Sequence, residues 1–152
     1  MKLKALIAAA TFAGLCSTAS AQLNLYEDYD IGEAVWEITP VKVDANMGDY
    51  YLEGLRSTWI DANEISKSLG HIEDYKIMGS VTPENGNFNM LLMVKYKSMA
   101  EMVPSKEKYD AFMAAWGDAK VDESRETSKT YPELREIKGQ YLMQEVMMIE
   151  AE

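Results

Sequence analysis

Hydrophobic and polar residues follow two different periods along the chain. Alternation with a period of two is typical of strands, whose successive side chains point to opposite faces of a sheet. One of these stretches, Phe88 to Tyr96, is apolar at nearly every position, which predicts a central strand. The strand pattern covers Ala34 to Val43, Asp74 to Val81, Phe88 to Tyr96 and Gly139 to Ile149.

Two segments between these strands have the spacing of helices. Apolar residues recur every three or four positions from Leu52 to Leu69, after the candidate N-cap Asp49, and Gly70 supplies a left-handed stop. A second helix is predicted from about Ser105, directly after a proline. Its predicted buried face consists of Tyr109, Phe112, Met113 and Trp116.

The order of elements is β-α-β-β-α-β, which predicts a ferredoxin-like α+β fold. Two right-handed crossovers would place both helices on one face of a four-stranded antiparallel sheet. The other face would then be uncovered, although the strands carry apolar residues on both sides. A homodimer that packs open face against open face is the simplest way to bury it.

The N-terminal 21 residues have the layout of a secretory signal. Lys2 and Lys4 precede an apolar stretch from Ala5 to Leu15, and an A-x-A cleavage site ends at Ala21. The apolar stretch is shorter than the roughly 20 residues of a spanning helix. We therefore expect cleavage after Ala21 and export to the periplasm or the medium, without a membrane attachment afterwards. Residues 22–33 would form an N-terminal extension and residues 34–152 a single domain.

Charge and cysteine content narrow the classes of function. The formal net charge is −10 and would become −12 without the two lysines of the signal, since that segment contains no acid. Such a charge repels nucleic-acid backbones and anionic membranes. The single cysteine, Cys16, would leave with the signal, which excludes disulfides and cysteine metal sites in the exported form. Paired methionines suggest copper, but Met90 and Met93 fall on opposite faces of one strand, so we predict neither metal nor cofactor.

Three segments within this order of elements resemble the dimeric α/β-barrel superfamily. They are L-E-G-L-R-S-T-W at Leu52 to Trp59, S-L-G-H-I-E-D-Y at Ser68 to Tyr75 and N-M-L-L-M-V-K-Y at Asn89 to Tyr96. The chain is most similar in character to exported bacterial proteins of unknown function near the antibiotic-biosynthesis-monooxygenase-like group. The resemblance implies a ferredoxin-like fold, a homodimeric barrel, and a pocket between the sheet and the helices of each protomer.

That superfamily includes cofactor-free monooxygenases, haem-degrading enzymes and haem-dependent chlorite dismutases. Haem-degrading members use an asparagine, a tryptophan and a histidine from different elements. Here Asn63, Trp59 and His71 all lie on or just after the first helix. Because this placement differs, we do not transfer the haem-degrading activity to the chain.

Aromatic residues converge where both predicted helices meet the sheet, and they form either a core or the wall of an apolar cavity. A few polar side chains beside such a wall are typical of small-molecule sites. His71, the only histidine, could alternatively cap exposed carbonyls at the helix end. The residues predicted to line a ligand site are Trp59, Asn63, His71, Tyr75 and Trp116.

Three functional hypotheses remain open at this point. The first is an exported homodimer that binds a small apolar or aromatic molecule, with no identified catalytic residue. The second is a cofactor-independent monooxygenase-like enzyme, in which Asn63 or His71 would polarise the substrate. The third is a structural or interaction module whose dimer surface is its function. No hydrolase, nucleotide-binding or zinc-protease motif is present in the sequence.

Overall fold

A computed structural model of the chain describes residues 22–83 and 85–150. The predicted signal sequence and its cleavage site lie outside the described residues. The strands are β1 (Tyr29–Val43), β2 (Asp74–Gly79), β3 (Met90–Tyr96), β4 (Arg135–Ile137) and β5 (Tyr141–Met148). The helices are α1 (Gly48–Leu55), α2 (Asp61–Ser68), α3 (Lys106–Trp116) and α4 (Asp118–Ser128). A π-helical turn, Arg56–Ile60, joins α1 to α2, and short 3₁₀ turns span Met99–Met102 and Tyr131–Glu133.

The strands form an antiparallel sheet in the order β2-β3-β1-β4, and β5 pairs with another part of β1. This arrangement confirms the predicted ferredoxin-like α+β fold. The sheet has five strands instead of the predicted four, since the last strand is interrupted. Within one chain the sheet is open. A barrel would need a second chain, and it therefore remains a prediction.

The interruption between β4 and β5 is a bulge opposite Pro40. Val41 pairs with Ile137 and Ile38 pairs with Tyr141, so residues 138–140 face only residues 39–40. Pro40 has no N–H to donate, and its carbonyl accepts a hydrogen bond of 2.8 Å from the Lys138 N–H. The additional residue reverses the alternation of side chains. Ile137 therefore faces the helices, whereas Tyr141 faces the other side of the sheet.

β1 begins earlier than predicted, inside the segment that we interpreted as an N-terminal extension. Tyr29 pairs with Met148 and Ile31 pairs with Val146, followed by a register shift before Val35. The shift breaks the period-two pattern, which explains why the sequence predicted a start at Ala34. This first part of β1 pairs with β5 but not with β3.

The run of helix from Gly48 to Ser68 buries the middle of the predicted face, including Leu55 and the partly buried Trp59, but not its two ends. Tyr51, Leu55 and Thr58 are buried, whereas Leu52 is 41% and Leu69 37% exposed. A π turn contains more residues than an α turn, so it rotates the buried face along the helix. The predicted left-handed stop at Gly70 is confirmed by its φ of 72°.

The core lies between this helical run and one face of the sheet. Ser105 caps α3 through a bond that its Oγ accepts from the Lys108 N–H, as the predicted helix start requires. On α3, Trp116 is buried as predicted, but Tyr109 is 62% exposed. The main core cluster consists of Val41, Val43, Tyr51, Leu55, Met90, Leu92 and Tyr131.

The face of the sheet opposite the core carries apolar residues together with two lysines, Lys76 and Lys95. Register places Trp36 and Ile38 of β1 and Leu91 and Met93 of β3 on this open face, because they alternate with core residues of the same strands. β5 is exposed on both of its faces. Its apolar side chains expose between 42% and 64% of their surface: Tyr141, Leu142, Met143, Val146, Met147 and Met148.

Candidate functional site

A cavity of about 400 Å³ lies between the core face of the sheet and the helices. Its floor is formed by Val41, Leu92 and Ile137 from three neighbouring strands. Leu55 and Trp59 stand above this floor on the long helical run, and α4 adds two serines. The position agrees with the pocket that the sequence predicted between sheet and helices.

The π turn places a hydroxyl group on the cavity wall. Thr58 Oγ1 donates a hydrogen bond of 2.8 Å to the Gly54 carbonyl. The Tyr131 hydroxyl lies 2.5 Å from the same Oγ1. Because the only hydroxyl hydrogen of Thr58 is already donated to Gly54, Tyr131 is the donor in the second bond. Thr58 thus links the helix to the 3₁₀ turn that precedes β4.

Gly54 allows the Tyr131 ring to approach the helix closely. A Cβ atom at residue 54 would lie 2.9 Å from Tyr131 Cε1 and 3.3 Å from Thr127 Cγ2. The first distance is too short for carbon atoms in contact. The absence of a side chain at this position therefore determines where the tyrosine wall of the cavity stands.

One end of the cavity contains an arginine beside two tyrosines. The Tyr51 and Tyr131 rings meet edge to face, with centroids 5.2 Å apart and planes at 81°. The guanidinium carbon of Arg135 lies 5.9 Å from the Tyr51 centroid and 5.4 Å from the Tyr131 centroid. Both distances fall within the range of cation–π attraction. All three side chains line the cavity.

Arg135 Nε is buried without a hydrogen-bond partner among the described residues. The other two arginines of the chain, Arg56 and Arg125, each form an ion pair with a carboxylate. The register of β4 explains the placement, because Arg135 pairs with the core residue Val43 and shares its face of the sheet. A buried donor without a partner costs about 1–3 kcal/mol, so this position requires an explanation beyond packing.

The tyrosines at this end of the cavity are held in their neutral form. Burial raises the pKa of Tyr51 and, to a lesser extent, the neighbouring Arg135 opposes this rise. Burial also raises the pKa of Tyr131, against the opposing hydrogen bond with Thr58. Among the described residues, no aspartate or glutamate lines the cavity. The end of the cavity that contains Arg135 is therefore rich in hydrogen-bond donors and carries one positive charge.

Of the predicted site residues, Trp59 lines this cavity and the other four lie outside its lining. Asn63 Nδ2 donates a 2.7 Å hydrogen bond to the Trp59 carbonyl, one helical turn earlier. The Tyr75 ring meets the Trp59 ring edge to face at 5.4 Å, and its hydroxyl donates to Glu64. Burial, followed by the neighbouring Glu64 carboxylate, raises the pKa of Tyr75 to about 12. Trp59, Asn63 and Tyr75 thus form one cluster beside the cavity.

His71 and Trp116 lie elsewhere. His71 follows the stop at Gly70 and is partly buried, and its backbone N–H donates a hydrogen bond of 2.9 Å to the Ser66 carbonyl. Trp116 stacks on Phe112 with centroids 5.7 Å apart, at the end of α3. The structure therefore does not bring all five predicted residues together around one cavity.

A larger groove of about 710 Å³ runs along the outer side of α1 and α4. Glu53 and Arg56 line it, and both side chains are 75% exposed. A groove with solvated charges on its rim is an ordinary surface feature. We therefore take the aromatic cavity as the candidate site.

Sequence reasoning missed Thr58, Tyr131 and Arg135. Thr58 and Tyr131 are 73 positions apart, and neither belongs to a recognisable motif. Arg135 lies on a three-residue strand, too short to show a period. The one available signal was an arginine next to apolar positions in a strongly acidic chain.

None of the described helices has the length and hydropathy needed to cross a membrane. Across residues 22–83 and 85–150, no three histidine, cysteine or carboxylate side chains gather as a potential metal site. These findings concern only the described part of the chain.

No family model matches the chain, and no curated protein matches it. Solved structures are similar to it, among them these two. The crystal structure of protein SO0527 from Shewanella oneidensis covers 79% of this chain and 99% of its own, with 14% identity and a TM-score of 0.45. A dimeric ferredoxin-like protein of unknown function from Thermobifida fusca YX covers 76% of this chain and 92% of its own, with 8% identity and a TM-score of 0.37. The fold assignment rests on strand order, and the monooxygenase-like resemblance stays a prediction.

Proposed function

We propose that this chain binds a small apolar or aromatic molecule in the cavity between its sheet and its helices. The observation that carries the proposal is the composition of the cavity, in which aliphatic and aromatic walls end in a few convergent polar groups. Small-molecule sites are usually built in this way, with volumes of about 300–1,000 Å³. The cavity of about 400 Å³ suits a ligand at the small end of that range.

Tryptophan fluorescence tests this proposal on the chain from Gln22 to Glu152. Trp59 is the tryptophan in the cavity wall, whereas Trp116 and Trp36 lie outside the lining. A ligand in the cavity should change the fluorescence of the wild-type chain and of Trp116→Phe, and the change should largely disappear in Trp59→Phe. An undiminished change in Trp59→Phe would place the ligand elsewhere.

A cavity-filling pair of variants gives an independent test. Ala62 lines the cavity, and Ala115 is exposed on α3. Ala62→Phe should abolish binding measured by calorimetry, because the new ring occupies the ligand volume, whereas Ala115→Phe should bind like the wild type. Circular dichroism of both variants checks that they are folded. Unchanged affinity in a folded Ala62→Phe would contradict the proposal.

The monooxygenase-like alternative needs a group that polarises a substrate. Asn63 donates its amide hydrogen to a backbone carbonyl, and neither Asn63 nor His71 lines the cavity. Binding is therefore the better supported function. Ligand-dependent dioxygen uptake that disappears in His71→Ala or Asn63→Ala would favour the enzyme instead.

We also propose that the chain acts as an exported homodimer. Export is supported by the signal-like N-terminal sequence alone. The dimer is supported by the apolar residues of the open face and by β5, where Met143 is 55% exposed. Sedimentation should give twice the chain mass for the wild type and the chain mass for Met143→Glu. The control Tyr109→Glu, at a residue 62% exposed on α3, should remain dimeric. A monomeric wild type at micromolar concentration would refute the dimer.

A further inference from the structure

We infer that the ligand is a small aromatic acid whose carboxylate is bound by Arg135, an inference that rests on the proposed function. The cavity is lined by apolar and hydroxyl-bearing side chains, and Arg135 is the only charged residue in its described lining. An aromatic monocarboxylate has the matching distribution of ring and charge.

The guanidinium group of Arg135 has an unpaired hydrogen-bond donor among the described residues. Nε, the nitrogen nearest the strand, is buried and has no partner in the described residues. A carboxylate binds arginine most strongly in a bidentate manner, with two parallel N–H···O bonds from neighbouring nitrogens of the guanidinium group. Arg135 lines the cavity, and a small shift of its side chain on binding would bring the Nε donor, which is shielded from water and has no acceptor in the described residues, to a carboxylate there.

Arg135 has no carboxylate partner among the described residues, although the chain is acidic. The chain contains 25 acidic residues against 15 basic ones, so carboxylates are abundant. Even so, no ion pair joins Arg135 to any described carboxylate, and no described acid lines the cavity. A single guanidinium balances one negative charge. This favours a monocarboxylate over a doubly charged phosphate, for which additional cations are usual.

The two tyrosines limit which polar groups of a ligand can bind beside Arg135. Tyr131 donates its hydroxyl hydrogen to Thr58. Tyr51 lines the same end of the cavity and is 1% exposed, which keeps its hydroxyl away from bulk water. Its O–H is a second donor for a carboxylate held by Arg135. A neutral amide would present an NH₂ group to this cluster of donors and would bind less well.

The apolar walls define the rest of the ligand. Leu92 and Ile137 form the floor opposite Trp59. A flat ring can contact these residues while its acid group points towards Arg135 and Tyr51. We therefore expect rings joined to a carboxylate directly or through one methylene group.

Calorimetry with matched acids and amides tests the inference. The probes are benzoate and benzamide, 2-naphthoate and 2-naphthamide, and indole-3-acetate and indole-3-acetamide. At least one acid should bind about tenfold or more tightly than its amide, since hydrogen bonds to charged groups are stronger than neutral ones. Inorganic phosphate should not compete.

Variants assign the preference to one residue. Arg135→Met should remove the preference for the acid, and Arg135→Lys should retain part of it, because lysine supplies a charge without the bidentate fork. Arg125→Met, at an exposed arginine paired with Asp122, is the matched control and should behave like the wild type. If Arg135→Met fails to fold, the Nε–H signal of Arg135 in the wild-type chain replaces it. That signal should shift with the acid and not with the amide.

The outcomes separate this inference from the proposed function. Equal affinity for acids and amides, or an acid preference that persists in folded Arg135→Met, overturns the inference and leaves the cavity as a binding site. A bound acid that does not shift the Arg135 Nε–H signal also overturns it. No binding by any of the six probes counts against both proposals.

Discussion

Replacing Gly54 with alanine tests the packing that shapes the cavity. The new Cβ would lie 2.9 Å from Tyr131 Cε1 and 3.2 Å from the Tyr131 hydroxyl oxygen. Tyr131 is only 7% exposed and is bonded to Thr58, so the ring cannot move freely. Inserting a methyl group into such a site typically costs about 1–3 kcal/mol. Alanine recovers up to about 1 kcal/mol through its higher helix propensity, so we expect a net loss of about 0–2 kcal/mol.

Gly48 provides the matched control at the start of the same helix. No heavy atom lies within 4 Å of the Cβ position at residue 48. Gly48→Ala should therefore stabilise the protein by about 0.4–1 kcal/mol, because alanine restricts the unfolded chain. The two glycine-to-alanine variants should then differ by about 1–3 kcal/mol, the size of the packing penalty alone.

Urea unfolding followed by tryptophan fluorescence measures the difference, and thermal unfolding should show Gly54→Ala melting about 3 °C or more below Gly48→Ala. Because Tyr131 stands in the cavity wall, Gly54→Ala should also weaken ligand binding. Equal stability of the two variants would refute the close contact between residue 54 and Tyr131.

Three further predictions concern stability. Ser105→Ala should lower the free energy of unfolding by about 1 kcal/mol in urea unfolding, because the Ser105 Oγ caps α3. Ser98→Ala is the control and should change this free energy little, since the Ser98 side chain makes no cap bond. The free energy of unfolding should fall as pH rises from 10 to about 12, because the Tyr75 hydroxyl loses its proton at a lower pH in the unfolded chain than in the folded one. Circular dichroism should show a smaller fall in Tyr75→Phe. Thr58→Val should lower the free energy of unfolding by about 1–3 kcal/mol, because the Tyr131 hydroxyl loses its acceptor. Thr58→Ser keeps a hydroxyl group and should lose much less; an equal loss in both variants would contradict the bond.

Elements that depend on nearby residues were predictable from the sequence. The apolar run of β3, the left-handed stop at Gly70 and the start of α3 after Ser105 each follow from the chemistry of a few neighbouring residues. Their order along the chain is enough to predict the ferredoxin-like topology, because handedness and strand pairing leave few alternatives.

Part of the buried face of the first helix was not predictable in the same way. The π turn contains Thr58, whose Oγ1 is bonded to the Gly54 carbonyl and to Tyr131, far along the chain. A regular helical period therefore assigned Leu52 to the core, where the structure places Tyr51.

The five predicted site residues do not meet around one cavity, for a related reason. Sequence position placed Asn63 near the aromatic wall, which is correct, but it could not show that the amide bonds to a backbone carbonyl. Arg135 escaped notice because the bulge opposite Pro40 divides the last strand. Without that division, the side of the sheet that each residue faces cannot be assigned from alternation alone.

Contacts between ligand protons and methyl groups test the central claim, that the ligand lies between sheet and helices. Leu91 and Leu92 are adjacent in β3 and face opposite sides of the sheet, so they form a built-in comparison. With a bound aromatic acid, nuclear Overhauser effects should join the ring protons to the methyl groups of Leu92 and Ile137. Effects to Leu91 and Ile38 instead would place the ligand on the open face and contradict the account.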